Sequence, residues 1–355
     1  MTARASAKSV KLIMMELVWA NAACGPSDRP LNILTFATHE RYEENLCKTG
    51  HNFYSLRSGK EWDTTYAPVP KNYHIVNQIP EHVDIDIVLS HTSCNRLQLA
   101  HDLLSGTVGQ SNKSPVPILR HCHILPDVRG DVVQQAIDYR KIPVDANSFI
   151  SGFNRDTWGF SADNSSVVEH GIDTEFWNQG WGADNTSRES YCLSVVNEFP
   201  SRDWCCGFSL WKEVASSPIA PFRVVGKCTG EHAGFSQPAQ SREELRDIYQ
   251  TAAVFLNTSL HSPVPTVMME AMACGCPVVT TGTCMIPEII EHGVNGIIAD
   301  DASDMKFWCR ELLAKPELAR KIGEAGRKTI EEKYSLEKFV QSWNKLFYKT
   351  IGEFK

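Results

Sequence analysis

Short apolar runs alternate with helical patterns along this chain, and this alternation constrains the fold more than any other feature. In the first half, strands are predicted at "LNILTF" (31–36), "HNFYSL" (51–56), "DIDIVLSH" (84–91), "VPILRHCHIL" (116–125) and "NSFISGF" (147–153). After a polar stretch the alternation restarts with "YCLSVVN" and continues to "NGIIAD". Strands that alternate with helices predict mostly parallel, doubly wound sheets. The sequence therefore predicts an α/β chain with two Rossmann-like domains, which we expect to face each other across a cleft.

The domain boundaries follow from the same patterns, because 355 residues suffice for two hydrophobic cores. We expect an N-terminal extension over 1–29, a first Rossmann-like domain over 30–178 and a second over 188–335. The stretch 171–190 is rich in Gly, Asp, Asn and Ser, which is typical of a linker. Residues 336–355 predict a helix that packs back on the first domain.

The N-terminal extension resembles a secretory signal, with basic residues before an apolar run, but Glu16 interrupts that run. An extra amphipathic helix, or a start codon assigned too early, is therefore favoured over export. No apolar run reaches the roughly 18–20 residues of a membrane span, so none is expected. We expect a cytoplasmic protein.

Composition narrows the partners and the redox setting. The net charge is −7, so no global field attracts polyanions, although a local basic groove stays compatible with it. The 12 cysteines include an adjacent pair, Cys205 and Cys206, and lack two matching C-x-x-C pairs. This placement favours buried free thiols in a reducing compartment over disulfides or a zinc site.

A second feature, "SPVPTVMMEAMACGCPVVTT" (262–281), places a single acid, Glu270, inside an apolar helical pattern. The pattern begins a helix at Pro265 and Thr266, where free N–H groups and the helix dipole favour phosphate. Either Glu270 is an exposed helix glutamate or it binds something. Its apolar neighbours favour the second interpretation.

From Ser241 to about Ser335 the chain resembles the C-terminal domain of retaining GT-B glycosyltransferases of the large family-4 type. The resemblance rests on "EAMACGCPVV", "MIPEIIEHGVNGIIAD" and the upstream "ELRDIYQTAAVFLNTSL". It extends to "VVEHGIDTEFW" and, more weakly, to "HERYEENLCKTGHNFYSL" in the first domain. The loop "SPVPTV" also resembles phage-type members, for which the compartment would be the host cytoplasm.

The resemblance implies transfer of a sugar from a nucleoside-diphosphate sugar, UDP-linked, to a hydroxyl acceptor with retention. It implies no metal ion or other cofactor. Glu270 would accept hydrogen bonds from the ribose hydroxyls. The other implied donor-binding residues are Thr266, Pro265, Val267, Ser262, Lys227 and Asn197. Ser262 stands where the family often has a first glutamate, which leaves the transferred sugar open.

The catalytic residues implied by the resemblance are His123, beside the donor sugar, and Arg202, on the leaving diphosphate. His121 is the alternative for the histidine. Glu198 stands where the family has an arginine, so Arg202 is predicted to take that role. Alternatively, Arg202 forms an ion pair with Asp203 or with another surface acid. On the acceptor side, the resemblance implies a loop that contains His39, Glu40 and Arg41.

The acceptor stays open at this point. It is a glycan, a small hydroxylated molecule or a 5-hydroxymethylpyrimidine in phage DNA. A DNA acceptor would require a rim of basic side chains around the site. Four residues are candidates for that rim: Arg120, Arg129, Arg140 and Lys141. A nucleotide-sugar epimerase and a degenerate nucleotide-sugar-binding protein are further alternatives. The sequence does not give the oligomeric state.

Overall fold

The computed structural model describes residues 29–37, 39–57, 61–91, 116–180 and 188–354. The chain divides into two compact units. The first contains residues up to 149, the segment 158–168 and the segment from 337 onward, and the second contains 150–157 and 169–336. Residues 1–28 of the predicted extension, and Thr38, lie outside the described residues.

The helices of the described residues alternate with the strands. In chain order they are α1 (Glu40–Cys47), α2 (Val132–Lys141), α3 (Gly152–Thr157), α4 (Asp203–Cys206), α5 (Phe208–Ala215), α6 (Arg242–Thr251), α7 (Thr266–Ala273), α8 (Ile286–Ile289), α9 (Ala302–Ala314), α10 (Pro316–Lys333) and α11 (Leu336–Phe354). None of these described helices combines the length and the apolar character that crossing a bilayer requires.

A parallel sheet forms the centre of the first unit. Its described strands are β1 (Asn32–Thr35), β2 (Asn52–Leu56), β3 (Tyr73–Val76), β4 (Ile87–His91), β5 (Ile118–Cys122), β6 (Ala146–Phe149) and β7 (Ser166–Val167). Their spatial order is β3-β2-β1-β4-β5-β6-β7, with every pairing parallel. The strand order changes direction between β1 and β4. Ligands of doubly wound sheets bind at the carboxyl ends of the strands beside such a switch point.

Strands β4 and β5 are buried along their whole length, which explains their apolar character. Each nevertheless places polar side chains at its carboxyl end, and the register pairs His91 with His121. Helix α11 belongs to this unit and buries Phe339, Trp343 and Phe347. Their four-residue spacing puts them on one face of the helix, which is the pattern of an amphipathic helix against a core.

The second unit contains another parallel sheet. Its strands are β8 (Glu189–Val195), β9 (Phe222–Val225), β10 (Ala252–Asn257), β11 (Val278–Thr280) and β12 (Ile297–Ile298). Their order is β12-β11-β10-β8-β9, again with parallel pairing. The direction changes between β8 and β10, so the loops after these two strands flank the switch point. The predicted α/β class with two doubly wound sheets is confirmed.

Several predictions of local structure were wrong. The sequence pattern did not predict the short strands β3 and β7. The pattern of "WCCGFSLWKEVA" is typical of one helix, but the chain forms α4 and α5 there, with a break at Gly207. Gly207 has φ +69°, and a Cβ there would lie 2.0 Å from the carbonyl oxygen of Thr258. The close approach of this loop therefore requires both the glycine and the break.

The described part of the polar stretch 171–190 is not an exposed linker. Ile172 and Trp177 are 4% and 3% exposed and belong to the main core cluster of the second unit. The backbone of Ile172 bonds to Tyr334 and Leu336. The composition of this stretch is mostly polar, but its two buried apolar residues, Ile172 and Trp177, pack into the core.

Candidate active-site residues

The loop after β8 is bonded to the loop after β9, at the switch point of the second unit. The side-chain oxygen of Asn197 accepts from the backbone N–H of Lys227 at 2.9 Å. The Glu198 backbone N–H donates to the Lys227 carbonyl at 2.8 Å. The Glu198 carboxylate accepts a hydrogen bond from the Thr229 backbone N–H at 3.1 Å. These bonds hold Glu198 at φ +54°, a left-handed conformation unusual for a glutamate. Asn197 and Lys227 thus share one loop pair.

Arg202 lies on the same loop as Asn197. Its side chain is exposed, with Nη1 3.4 Å from the Asn197 carbonyl oxygen. The alternative pairing with Asp203 is not the one observed, because the Asp203 carboxylate accepts from Ser209 N–H at 2.7 Å and from its hydroxyl at 2.6 Å. These bonds lower the pKa of Asp203. The Arg202 guanidinium stays at the carboxyl end of β8.

Helix α4, which follows Arg202, is fixed to the loop after β10. The Cys205 carbonyl accepts from the backbone N–H groups of Leu260 and His261, at 2.9 and 3.0 Å. These backbone bonds connect the loop that carries Arg202 with the loop that carries "SPVPTV".

The thiol of Cys205 has an unusual pKa. Hydrogen bonding with Cys206, helped by the charge of Arg202, lowers the pKa of the Cys205 thiol to about 6, against the opposing effect of burial.

Hydroxyl and amide side chains, which were not predicted from the sequence, fix the ends of β10 and β11. Asn257 donates to the Thr280 hydroxyl and accepts from the Ser259 hydroxyl, both at 2.8 Å. The Ser259 carbonyl accepts from Thr281 Oγ1 at 2.5 Å and Thr283 Oγ1 at 2.7 Å. The signal was the polar endings "LNTS" and "VVTTGT" of two neighbouring strands. This network sets the path of the loop that leads to α7.

Helix α7 begins where the sequence predicts. Pro265 is buried at its N-cap, and Thr266 and Val267 form a half-buried first turn. The Met268 N–H already bonds to the Pro265 carbonyl at 3.0 Å. Helix geometry leaves the earlier N–H groups outside the helix's own bonds, pointing along its axis. Ser262 is half-buried in the loop that precedes this end of the helix.

Glu270 lies in the middle of α7 and is only 5% exposed, so the exposed-glutamate alternative is excluded. Its Oε2 accepts a hydrogen bond at 3.1 Å from the hydroxyl of Tyr249, a fully buried residue of α6. Behind the helix, α10 passes so close that a Cβ on Gly323 would lie 2.1 Å from the Gly275 carbonyl oxygen. The carboxylate therefore stands on a helix whose position is fixed on two sides.

The first unit groups histidines at the carboxyl ends of β4 and β5. His123, just after β5, is half-buried, and its Nε2 lies 2.7 Å from Nδ1 of His91. The Nε2 of His91 lies 3.6 Å from Oε1 of Glu43 in α1. The ring of Tyr42 meets that of His123 edge-on, with centroids 4.4 Å apart. The sequence predicted His123 as a site residue but did not point to Glu43 or His91.

His121, the alternative to His123, is fully buried and bonded on both ring nitrogens. Trp343 Nε1 donates to the Tyr42 hydroxyl at 3.2 Å, and that hydroxyl lies 2.9 Å from Nε2 of His121. The other ring nitrogen lies 2.8 Å from Ser148 Oγ. Burial raises the pKa of Tyr42 well above its ordinary value, so the hydroxyl keeps its proton to donate. This arrangement assigns His121 to the interior and leaves His123 as the histidine nearer the surface.

The predicted acceptor-side residues occupy different environments. His39 is exposed at the N-cap of α1, and Arg41 is half-buried. Glu40 is buried, and its Oε1 accepts from the backbone N–H of Asp63 at 3.2 Å. Glu40 therefore secures the neighbouring loop, and among the three His39 is the most accessible.

The basic rim considered for a DNA acceptor was wrong for Arg120. That residue is 3% exposed and bonds to Asn147 and Tyr139 inside the unit. Arg129 and Lys141 are exposed, but they pair with Asp127 and Asp138, each at 2.7 Å. Arg140 donates to the carbonyl of Gly159 at 3.0 Å. Among the described residues, no group of three His, Cys, Asp or Glu side chains is placed to hold a metal ion.

Comparisons with known proteins concentrate on the second unit. Residues 229–329 match the family described as "Glycosyl transferases group 1". Over 91 residues the chain is 34% identical to N-acetyl-alpha-D-glucosaminyl L-malate synthase of Bacillus anthracis, which covers 25% of this chain and 24% of that protein. Over 100 residues it is 35% identical to alpha-maltose-1-phosphate synthase of Mycobacterium tuberculosis, 26% of each. The chain thus spans about a quarter of the length of these curated relatives.

Solved structures resemble nearly the whole chain. The Anabaena protein HepE, solved with UDP-glucose, superimposes with a TM-score of 0.68 at 13% identity, over 91% of this chain and 100% of that one. Sucrose-phosphate synthase of Thermosynechococcus elongatus gives 0.68 at 16% identity, over 92% and 100%. At these identities the likeness concerns the fold. The chain therefore has the α/β fold of GT-B glycosyltransferases, and its residues 229–329 match the glycosyl transferases group 1 family.

Proposed function

We propose that this protein is a glycosyltransferase that moves a sugar from a UDP-linked donor to a hydroxyl acceptor with retention of the anomeric configuration. The observation that carries the proposal is the buried carboxylate of Glu270 on α7, the helix that begins at the switch point of the second unit. The hydroxyl of Tyr249, on α6, donates a hydrogen bond to this carboxylate. The matched family and the UDP-glucose bound to the similar HepE fold support it. Two relatives are named for alpha-configured products, which a retaining reaction would give from an alpha-linked donor.

The donor would be bound by groups that the second unit fixes in place. The carboxylate of Glu270 would accept hydrogen bonds from the ribose hydroxyls while Tyr249 holds its other oxygen. The amide groups and hydroxyl at the start of α7, from Thr266 and Val267, would bind the diphosphate. Because Pro265 and the network at Ser259 fix this turn, little reorganisation would accompany binding.

Catalysis would depend on stabilising the negative charge that builds on the leaving diphosphate. Fixed donors and cations lower the barrier most when they already point at this charge. Arg202 and Lys227 lie on loops bonded to each other through Asn197, and a guanidinium binds phosphate oxygens with two parallel bonds. We therefore propose a reaction without a metal ion, in which His123 contacts the donor sugar.

The direct test is incubation of the protein with a panel of nucleotide sugars, alone and with a mixture of hydroxylated acceptors, followed by mass spectrometry. We expect release of UDP, slow by hydrolysis and faster by transfer. An epimerase would change the sugar without releasing UDP. Binding without any turnover would identify a degenerate donor-binding protein and contradict the proposal.

Arg202 provides a residue-level test. Arg202→Ala should lower kcat by about 100-fold, because it removes a charge that stabilises the leaving group. Arg310→Ala, an exposed arginine on α9, is the matched control and should leave kcat unchanged. Equal kcat for both variants would exclude Arg202 from catalysis.

For the acceptor, we propose a neutral glycan or small hydroxylated molecule. The burial of Arg120 and the acidic partners of Arg129 and Lys141 support this class over DNA. The acceptor mixture should include DNA that contains 5-hydroxymethylcytosine. A neutral acceptor predicts a weak dependence of kcat/KM on salt, whereas a steep loss with added salt would indicate a polyanionic acceptor.

A further inference from the structure

Arg188 is a buried cation at the amino end of the second sheet, away from the loops that carry the candidate site. It directly precedes β8 and is 9% exposed. Its Nη1 donates to the carbonyl of Tyr249 at 2.6 Å and to that of Ala252 at 3.1 Å. Its Nη2 donates to the carbonyl of Cys274 at 2.6 Å. One side chain therefore binds the last turn of α6, the first residue of β10 and the C-cap of α7.

These contacts suit a guanidinium better than any other side chain. Burial lowers the pKa of Arg188, because taking the charge out of water disfavours it, yet a guanidinium stays protonated in proteins. Its planar fork directs N–H groups at separate acceptors, whereas a lysine ammonium is a compact point charge. A cation also interacts favourably with the negative end of a helix dipole, which Cys274 marks on α7. The fork therefore fixes direction as well as charge.

The two helices that Arg188 joins carry the buried acid and its partner. Tyr249 receives Arg188 at its carbonyl and donates through its hydroxyl to Oε2 of Glu270 at 3.1 Å. Glu270 lies one helical turn before Cys274, whose N–H bonds to the Glu270 carbonyl at 3.0 Å. The contacts thus form a closed circuit that runs from Arg188 through Tyr249, Glu270 and Cys274 back to Arg188. A shift of either helix along the other would break a contact in it.

A second guanidinium binds the same end of α7 without entering this circuit. Arg327, on α10, donates to the carbonyls of Ala273 and Trp177, and its Nη2 lies 2.7 Å from Oε1 of Glu331. Its remaining hydrogen bond goes to the carbonyl of Thr174, so among the described residues none of its bonds reaches α6. Arg327 fixes the end of α7, whereas Arg188 fixes it relative to Tyr249.

We propose that Arg188 is a positioning residue for nucleotide binding: by joining Tyr249 to the end of α7, it sets where the carboxylate of Glu270 meets the ribose hydroxyls. The inference rests on the proposed function and extends its site to a residue at the opposite end of the sheet. A purely structural role would lower stability. It would change UDP affinity, if at all, by the same factor with or without the Tyr249 hydroxyl.

The experiment is a double-mutant cycle on the calorimetric Kd for UDP. Arg188→Lys keeps the charge but removes the fork. It should weaken UDP binding about fivefold in the wild-type background and less than about twofold in Tyr249→Phe, because that background has already lost the contact that Arg188 positions. Arg327→Lys is the matched control and should change Kd by the same factor in both backgrounds.

Each outcome of the cycle decides the role of Arg188. An unchanged Kd for Arg188→Lys, or equal factors in the two backgrounds, would overturn the inference and leave the proposed function standing. If Arg188→Lys does not fold, Arg188→Gln takes its place, because a neutral amide keeps two N–H donors without a buried charge. A wild-type protein that does not bind UDP would overturn the proposed function and this inference with it.

Discussion

The carboxyl ends of the two sheets are built from different kinds of groups. In the second unit the ends of β8, β10 and β11 lead into loops fixed by backbone bonds and short hydroxyl side chains, with one buried acid, Glu270, on the following helix. In the first unit the ends of β4 and β5 carry histidine rings bonded to each other and to an aromatic cluster. One end offers donors and charge for an anion. The other end offers a single ring, that of His123, whose orientation depends on its neighbours.

The difference shows two ways of positioning a functional group. The N–H groups at the N-terminus of α7 obtain their direction from the backbone, so the proposed phosphate site depends on few side chains. The ring of His123 obtains its direction from side chains on several elements. A substitution in the second unit should therefore act through backbone placement, and one in the first unit through loss of a hydrogen-bond partner.

The largest expected effect tests the backbone placement in the second unit. Gly323→Ala puts a methyl group 2.1 Å from the Gly275 carbonyl, a backbone atom that moves only with its loop. We expect a loss of about 3 kcal/mol in the free energy of unfolding from overpacking, measured by denaturant titration. Gly352→Ala in α11, where nothing lies within 4 Å, should instead gain up to about 1 kcal/mol. Equal effects would refute the close contact between α10 and the Gly275 loop.

A smaller loss of stability is expected in the first unit. Tyr42→Phe removes the hydroxyl that joins Trp343 Nε1 to Nε2 of His121, and both of those residues are fully buried. Buried polar atoms that lose a partner cost about 1–3 kcal/mol, so we expect a loss of about 2 kcal/mol in unfolding free energy. UDP affinity, measured by calorimetry, should stay unchanged. A change in affinity without a change in stability would contradict this account of the ring cluster.

The smallest effect separates stability from binding within the second unit. Tyr249→Phe removes the hydrogen bond to Glu270 and should weaken UDP binding about fivefold, or about 1 kcal/mol. Tyr191→Phe is the matched control, because its hydroxyl bonds to Ile248 and Thr251 and not to Glu270. Tyr191→Phe should lower the free energy of unfolding about as much as Tyr249→Phe does and leave the UDP affinity unchanged. If both variants bind UDP equally well, Tyr249 does not position the acid.

The same contrast explains how much of the molecule was predictable. Helix α7 and its start at Thr266 were predictable because the residues that determine them are contiguous in the sequence. The short strands β3 and β7 were missed because edge strands of two to four residues carry little apolar pattern. The break at Gly207 was missed because it depends on the distant carbonyl of Thr258.

The ring cluster of the first unit was beyond sequence reasoning for a related reason. His91 and His121 become neighbours only through the pairing of β4 with β5, and Glu43 reaches them from α1. The available signal was that two predicted parallel strands both end near histidines. The polar stretch 171–190 misled for the opposite reason, since its composition is polar while Ile172 and Trp177 are core residues.

The central claim is that the carboxylate of Glu270 binds the ribose of a nucleotide. The most direct measurement is the calorimetric Kd for UDP of wild type, Glu270→Gln and Glu317→Gln, the last an exposed helix glutamate of the same unit. We expect Glu270→Gln to weaken binding about tenfold or more, because bonds to a charged acceptor contribute more than bonds to an amide. Glu317→Gln should match wild type. Equal affinity in all three proteins would contradict the claim.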